Sequence, residues 1–480
     1  MKPWLWLLLL WPSAALAEPV VVGSKAFTES VVLGELLRAS LERQGQAVTH
    51  RRELGGSRVL FEALRRGEIH AYPEYTGTLQ HELLATSGPM PEERLTAALA
   101  ELGLAMSAPL GFNNTYALGM RAERAKALGI VRISDLVKQP TLRFGLSSEL
   151  MKRADGWPGL RKRYGLSPDW VRGMDHDLAY RALAESELDV IDLYSTDAEI
   201  PYYQLAVLED DLAYFPAYHA VVLYRADVPA AAVRAFHELE DRLDEARMAK
   251  LNAAVKLDGR SEAEVARSFL GLTGAPDAGD DLTTRLARTT GAHLTLVASS
   301  LAAAIAVAIP LGILAARVRW VSATVLSITS ILQTVPSLAL FVFLIPLFGI
   351  GALPATVALF LYSLLPIVRN THEALTNMEP SLRDSALALG LSEGARLRLV
   401  ELPLASGAIL AGIKTAAVIN VGTATIAALI GAGGYGQPIL TGIRLDDMSL
   451  VLEGAIPAAL LALIVQWSFD VLERRLGYSA

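Results

Sequence analysis

The last third of this chain limits what it can fold into more than any other part. From 291 to 472 it runs through Ala, Leu, Ile, Val and Gly in stretches too long and too poor in charge for the core helices of a soluble domain. Five membrane spans are predicted, at roughly 293–316, 321–347, 352–368, 404–430 and 449–470. A polar segment, 369–401, breaks the pattern and must lie outside lipid. Its arginines Arg369, Arg383, Arg396 and Arg398 put it on the cytoplasmic side by the positive-inside bias. Leu382, Ala386 and Leu389, then Ala395, Leu399 and Leu402, recur at helical spacing. The segment is therefore expected to form short helices with one apolar face, a surface for a soluble partner. If the start of the span region faces outward, an odd number of spans also puts Arg317, Arg319, Arg474 and Arg475 inside.

Upstream of about 290 the chain changes character, so the overall 19% charged and 52% apolar content averages two unlike parts. The absence of cysteine excludes disulfides, thiolate metal sites and cysteine nucleophiles. A net charge of -7 gives no basic footprint for nucleic acid. Lys2, the apolar run 4–11 and Ala15-Leu16-Ala17 follow the plan of a signal peptide over 1–17, with an uncleaved anchor as the alternative. Either way the following domain is expected to be exported.

Strand and helix patterns alternate through 19–275, which predicts an α/β domain with a largely parallel sheet. Its expected arrangement is two lobes, 19–118 with 224–275 and 119–223, joined by crossings near 119 and 223 around a cleft. Ligands of such sheets sit beyond the strand ends and near helix N-termini, where Lys25 and Ser57 fall. Eleven of the fourteen tyrosines lie in this region, and Tyr72, Tyr75, Tyr116, Tyr194, Tyr214 and Tyr218 occupy predicted strand ends or loops. Rings around a cleft attract a cation that has no N–H donors, although any single tyrosine reads equally well as a strand or core residue. Glu74, Asp197 and His219 make no recognisable nucleophile or metal arrangement, His176 and His219 read as surface or packing residues, and no enzyme activity, metal or cofactor is expected. The Gly-, Pro- and Asp-rich stretch 276–290 reads as a linker.

Six runs occur in order: Gly23-Ser-Lys-Ala-Phe-Thr-Glu-Ser, Tyr72-Pro-Glu-Tyr-Thr-Gly-Thr, Asn114-Thr-Tyr-Ala-Leu, Arg153-Ala-Asp-Gly, Tyr194-Ser-Thr-Asp and Phe215-Pro-Ala-Tyr. They resemble the substrate-binding proteins of glycine betaine, choline and carnitine ABC importers, over nearly all of 20–273. The resemblance implies a two-lobed α/β periplasmic binding domain of the type II-like kind, ahead of an all-α polytopic membrane domain. It matches Tyr75, Tyr116, Tyr194 and Tyr218 to the rings that enclose a trimethylammonium group, Tyr72 being the rival of Tyr75. Lys25, Thr78 and Arg153 match positions that bind the carboxylate or polar end, though Arg153 could instead pair with Asp155 or Glu149 in a surface salt bridge.

Asp384-Ser385-Ala386, Gly390, Val400 and Leu402-Pro403 are similar to the coupling motif of bacterial ABC importer permeases. That motif is Glu-Ala-Ala, three residues, Gly, nine residues, Ile, one residue, Leu-Pro. The spacing is kept, while Asp replaces Glu, Ser the first Ala and Val the Ile. The polar segment, 369–403 with the motif, is thereby expected to be the cytoplasmic coupling loop. No G-x-x-x-x-G-K-[ST] occurs, so a separate ATPase subunit is implied, together with a second copy of this chain to complete a pathway through the bilayer. The expected function is the binding and permease subunit of an ATP-driven importer for a quaternary ammonium compound such as glycine betaine, choline or carnitine, or another methylated amine such as ergothioneine. A membrane-anchored ligand receptor is the reading from a different class; it would need a kinase, cyclase or methyl-accepting domain inside.

Overall fold

The computed structural model describes residues 19–84, 90–153, 155–272, 282–445 and 447–477; the signal peptide expected at 1–17 lies outside them. Ten strands form two five-stranded sheets. The first holds β1 (Val20–Gly23), β2 (Val48–Arg51), β3 (Ala71–Tyr75), β4 (Leu104–Met106) and β10 (Ala220–Arg225) in the order β2-β1-β3-β10-β4. The second holds β5 (Tyr116–Arg121), β6 (Arg143–Ser147), β7 (Trp170–Met174), β8 (Val190–Tyr194) and β9 (Leu205–Leu208) in the order β7-β6-β8-β5-β9. Neither sheet is largely parallel. β1 pairs in parallel with β2 and β3, and β6 with β7 and β8, but β10 and β5 run antiparallel to both of their neighbours.

These antiparallel strands move the lobe boundaries expected at 119 and 223. β5 already belongs to the second sheet and β10 already to the first, so the chain crosses between 106 and 116 and between 208 and 220. The crossing segments run side by side, bridged at Asn113 and His219, with Asn114 N–H donating to the Tyr218 carbonyl at 3.0 Å. Ala117–Met120 and Val221–Tyr224 are apolar on both faces because each is an inner strand, and that is why neither run marks a boundary. The helix Thr28–Arg43 is buried almost all round, packed against β2 and β3 and against the helices Ala230–His237, Glu245–Lys256 and Glu262–Phe269.

Among the described residues of the membrane region four helices are long and apolar enough to span: Leu282–Arg317, Ala352–Thr376, Glu393–Thr423 (the run of Glu393–Arg396, Leu397–Glu401 and Leu402–Thr423) and Met448–Arg475. The fifth span, expected unbroken at 321–347, is a pair, Arg319–Thr334 and Ser337–Phe348, bent by 103°. Val335 and Pro336 sit at the break, where proline supplies no N–H and forces the residue before it out of helical geometry. The linker expected at 276–290 also shortens, since the first long helix starts at Leu282. Ala352–Thr376 carries helix through Arg369, so the polar excursion starts eight residues later than the composition suggests.

The first lobe rests on the membrane domain. Arg66 donates to the Ile345 carbonyl at 3.1 Å and to that of Pro346 at 2.5 Å, and Glu68 accepts from the Ile350 N–H at 2.9 Å. Leu54, Leu60 and Phe61 share one apolar cluster with Leu344, Ile345, Ile350 and Ile430. These contacts orient every span. The ends near Ile345, Ile350 and Ile430 face the binding domain, and those carrying Arg317, Arg319, Arg383, Arg396, Arg474 and Arg475 lie on the opposite side. The bent pair begins on the basic side and ends against the binding domain, so it too crosses.

Candidate functional site

Each of the four rings matched by the resemblance sits at or beside a strand end facing the cleft between the sheets. Tyr75 closes β3, Tyr116 opens β5, Tyr194 closes β8, and Tyr218 lies two residues before β10. Antiparallel register places Tyr116 directly opposite Tyr194. Their ring centroids are 5.0 Å apart, and Tyr218 meets Tyr116 edge-on at 5.6 Å. Tyr75 joins the group through Phe27, 6.3 Å away, which is in turn 5.9 Å from Tyr194, while Phe215 stacks on Tyr116 at 6.1 Å. Phe27 and Phe215 went unread because a phenylalanine in a loop carries no local sign that it faces a cleft. Tyr72, three positions before Tyr75 on the same strand, points to the other face and is buried in the core that the first lobe shares with the membrane domain. Gly77 lets the cluster close: a Cβ there would come within 2.5 Å of the Tyr218 ring and 2.9 Å of the Ala217 carbonyl.

The polar groups around the rings are tied to one another. Lys25 pairs with the fully buried Glu74, its Nζ 5.0 Å from the centre of the Tyr75 ring. Arg153 grips Asp155 with a fork at 2.9 and 2.7 Å, reaches Glu82 at 2.7 Å, and lies 5.6 and 5.7 Å from the Tyr116 and Tyr218 ring centres. It is therefore no surface salt bridge, and Glu149 is not among its partners within ion-pair distance in the described residues. Burial opposes ionisation of Asp155, but the Arg153 fork and the Tyr218 hydroxyl, which donates at 2.6 Å, hold its carboxyl below the usual range. Thr78 is buried in the short turn after β3.

Two further groups that the sequence did not assign to the site stand beside the rings. Glu29, in the first turn of Thr28–Arg43, accepts from Tyr75 Oη at 2.6 Å, Asn114 Nδ2 at 2.8 Å, Asn252 Nδ2 at 3.1 Å and the Thr196 hydroxyl of the second lobe. Burial pushes its pKa up, and the bonds from Thr196, Tyr75 and Asn252 offset only part of that. His176, read from sequence as a packing or surface residue, lies 4.4 Å from the Tyr194 ring, with Nε2 3.0 Å from Asp197. Asp197 also accepts from the Tyr194 N–H at 2.8 Å and from Tyr180 Oη at 2.6 Å. Burial works against the charged imidazole, but Asp197 and Asp192 outweigh it and raise the pKa of His176 to about 9.

At the opposite end of the molecule the segment read as a coupling loop folds into Pro380–Ala388, Glu393–Arg396 and the wide turn Leu397–Glu401 that opens Leu402–Thr423. Asp384 and Ser385 are exposed, Ala386 is buried, Val400 lies in the wide turn, and Leu402-Pro403 begin the span. Gly390 follows the short helix at φ +74°, in the left-handed region where glycine carries no steric cost. The apolar face expected over Leu382, Ala386 and Leu389 is split, because only Ala386 packs inward and Leu389 is 79% exposed. Glu401, between the Val and the Leu-Pro of the motif, is buried and holds Arg317, Arg396 at 3.0 Å and Arg383 at 3.8 Å.

Among known proteins, the family described as the substrate binding domain of ABC-type glycine betaine transport systems matches residues 18–271, and the binding-protein-dependent transport system inner membrane component matches 308–478. The chain is 48% identical over 193 residues, 39% of its own length and 90% of the relative's, to the osmoprotectant import permease protein OsmW of Salmonella typhimurium. It is 40% identical over 184 residues, 38% of its length and 85% of the relative's, to the choline transport system permease protein OpuBB of Bacillus subtilis. A crystal structure described as a glycine betaine/carnitine/choline ABC transporter aligns at 29% identity and a TM-score of 0.46, over 52% of this chain and 97% of that one.

Proposed function

Because the chain belongs to the family of substrate-binding domains of ABC-type glycine betaine transport systems, joined in one polypeptide to a binding-protein-dependent inner membrane component, we propose that it binds a quaternary ammonium compound outside the inner membrane and passes it through its own permease domain in an ATP-driven importer. What carries the reading is the cluster of Tyr116, Tyr194 and Tyr218 with Tyr75 and Phe27 at the mouth of both sheets. A trimethylammonium group has no N–H to donate, so ring faces replace its water, each contributing about 1 to 2 kcal/mol when desolvated. Lys25 and Arg153 lie beside the rings and, with Thr78, match the family's positions for a ligand's polar end, although both cations are here already paired with carboxylates of the chain. A cytoplasmic ATPase subunit engages Asp384, Ser385, Ala386 and Gly390, and a second copy of the chain completes the pathway.

The binding half is tested by titrating the whole chain, in detergent or nanodiscs, with glycine betaine, choline, carnitine and ergothioneine. At least one should bind, and Tyr116→Ala or Tyr218→Ala should weaken that binding at least tenfold. Unchanged affinity in both variants rules out the ring cluster as the site.

A further inference from the structure

The second pole of the ligand is set by the polar groups beside the rings. Lys25 and Arg153, the cations that a ligand carboxylate would need, are already held by carboxylates of the chain itself, Lys25 by Glu74 and Arg153 by both Asp155 and Glu82. Two positive charges thus face three negative ones. A ligand carboxylate arriving here must displace an internal partner and leave a buried carboxylate unpaired, the costly outcome when one side of a buried ion pair is removed.

The opposite side of the cleft is short of donors. Behind Phe27 and Tyr194 lies a small cavity of about 20 Å³, room for one hydroxyl-sized group, with Glu29, Asn114, His176, Asp197, Glu199 and Asn252 on its walls. Asn114 and Asn252 each give the side-chain nitrogen to Glu29, which turns Oδ1 of each away from that carboxylate. Among the described residues neither Oδ1 has a hydrogen-bond partner, nor has Oε2 of Glu199, whose Oε1 pairs with Lys256. All three residues are at least nine-tenths buried. Buried acceptors with no donor are costly, so these oxygens ask for a group that brings a proton. The cations here, His176 and Lys256, are likewise outnumbered, by Asp177, Asp197 and Glu199.

We propose, resting on the importer reading above, that this site prefers a net cation ending in a hydrogen-bond donor, a hydroxyalkyl trimethylammonium, over a zwitterion ending in a carboxylate. The head group lies against the rings and the hydroxyl answers the unpartnered oxygens of Asn114, Asn252 and Glu199.

Calorimetric titration of the whole chain in detergent with choline and with glycine betaine, under identical conditions, tests this. Choline is expected to bind at least tenfold more tightly. Glu82→Gln removes one of the carboxylates on Arg153 and should tighten glycine betaine, narrowing the ratio at least threefold, a gain that misfolding cannot produce. Glu199→Gln places an amide donor at the cavity wall and should narrow the ratio from the choline side. Glycine betaine binding as tightly as choline overturns the proposal and leaves the importer reading standing. So does a choline preference that neither variant moves. Absence of binding by any trimethylammonium compound overturns both.

Discussion

Gly77 and His176 act on the ring cluster from opposite directions. Gly77 makes room: alanine there drives a methyl group into the Tyr218 ring and the Ala217 carbonyl, so Gly77→Ala should cost about 1 to 3 kcal/mol of stability and weaken ligand binding, read by thermal unfolding and titration. His176 backs Tyr194 with a charge. Its pKa in the folded chain, about 9, stands above the roughly 6.5 of an unfolded histidine, so its stabilisation is complete below pH 6.5 and is lost as pH rises through 9. Unfolding free energy should fall by up to about 3 kcal/mol across that window, and His176→Gln should flatten this part of the profile. The tyrosines were legible in sequence because each lies at or beside a strand end within a distinctive run. Glu29, Phe27 and His176 were not, since their partners are 46 to 223 residues away for Glu29 and on other elements for the rest.

Among the elements, the polar excursion between spans is held by one carboxylate. Glu401 gathers arginines from the end of the first long helix, from Pro380–Ala388 and from Glu393–Arg396, and Arg383 also donates to the Leu375 carbonyl at the end of another span. Replacing Glu401 with Gln leaves three guanidinium groups around a neutral amide. Hydrogen exchange across 380–401 should then accelerate, while exchange in the two sheets stays as it was. Gly390→Ala should give a smaller effect in the same measurement, about 1 kcal/mol of local stability, because alanine resists the left-handed conformation. The spacing of the motif was visible in the chain, and its glycine had a local reason. The role of Glu401 was not visible, since a glutamate between Val400 and Leu402 looks like any loop carboxylate until Arg317 is brought beside it.

For the molecule as a whole, Arg444 is a buried polar link between its halves, beside those of Arg66 and Glu68. It lies in the helix Gly436–Leu445 of the membrane domain and donates to Glu53 at 2.6 Å, to Glu262 at 2.7 Å and to Thr28 at 3.1 Å in the first lobe. Arg444→Ala leaves Glu53 buried without that cation and Glu262 facing the more distant Arg52 at 3.7 Å, a loss of about 3 to 5 kcal/mol when one side of a buried pair is removed, and should loosen the binding domain on the permease. The chain has no cysteine, so paired spin labels on engineered cysteines in the two domains can read the broadened distance distribution directly. Composition and periodicity determined that this chain has an α/β part and a spanning part and which ends of the spans are basic, while the resemblance of short runs to a known family marked which rings and loop residues to watch. Those signals are local: a run of apolar residues, an alternation, a spacing. Only the tertiary structure decided where the chain crosses between lobes, that one span is bent at Val335 and Pro336, that Lys25 and Arg153 are already paired, and that the first lobe sits on its own permease. Each of these depends on contacts between residues far apart in the chain, and no local pattern records which distant partner will satisfy a buried charge.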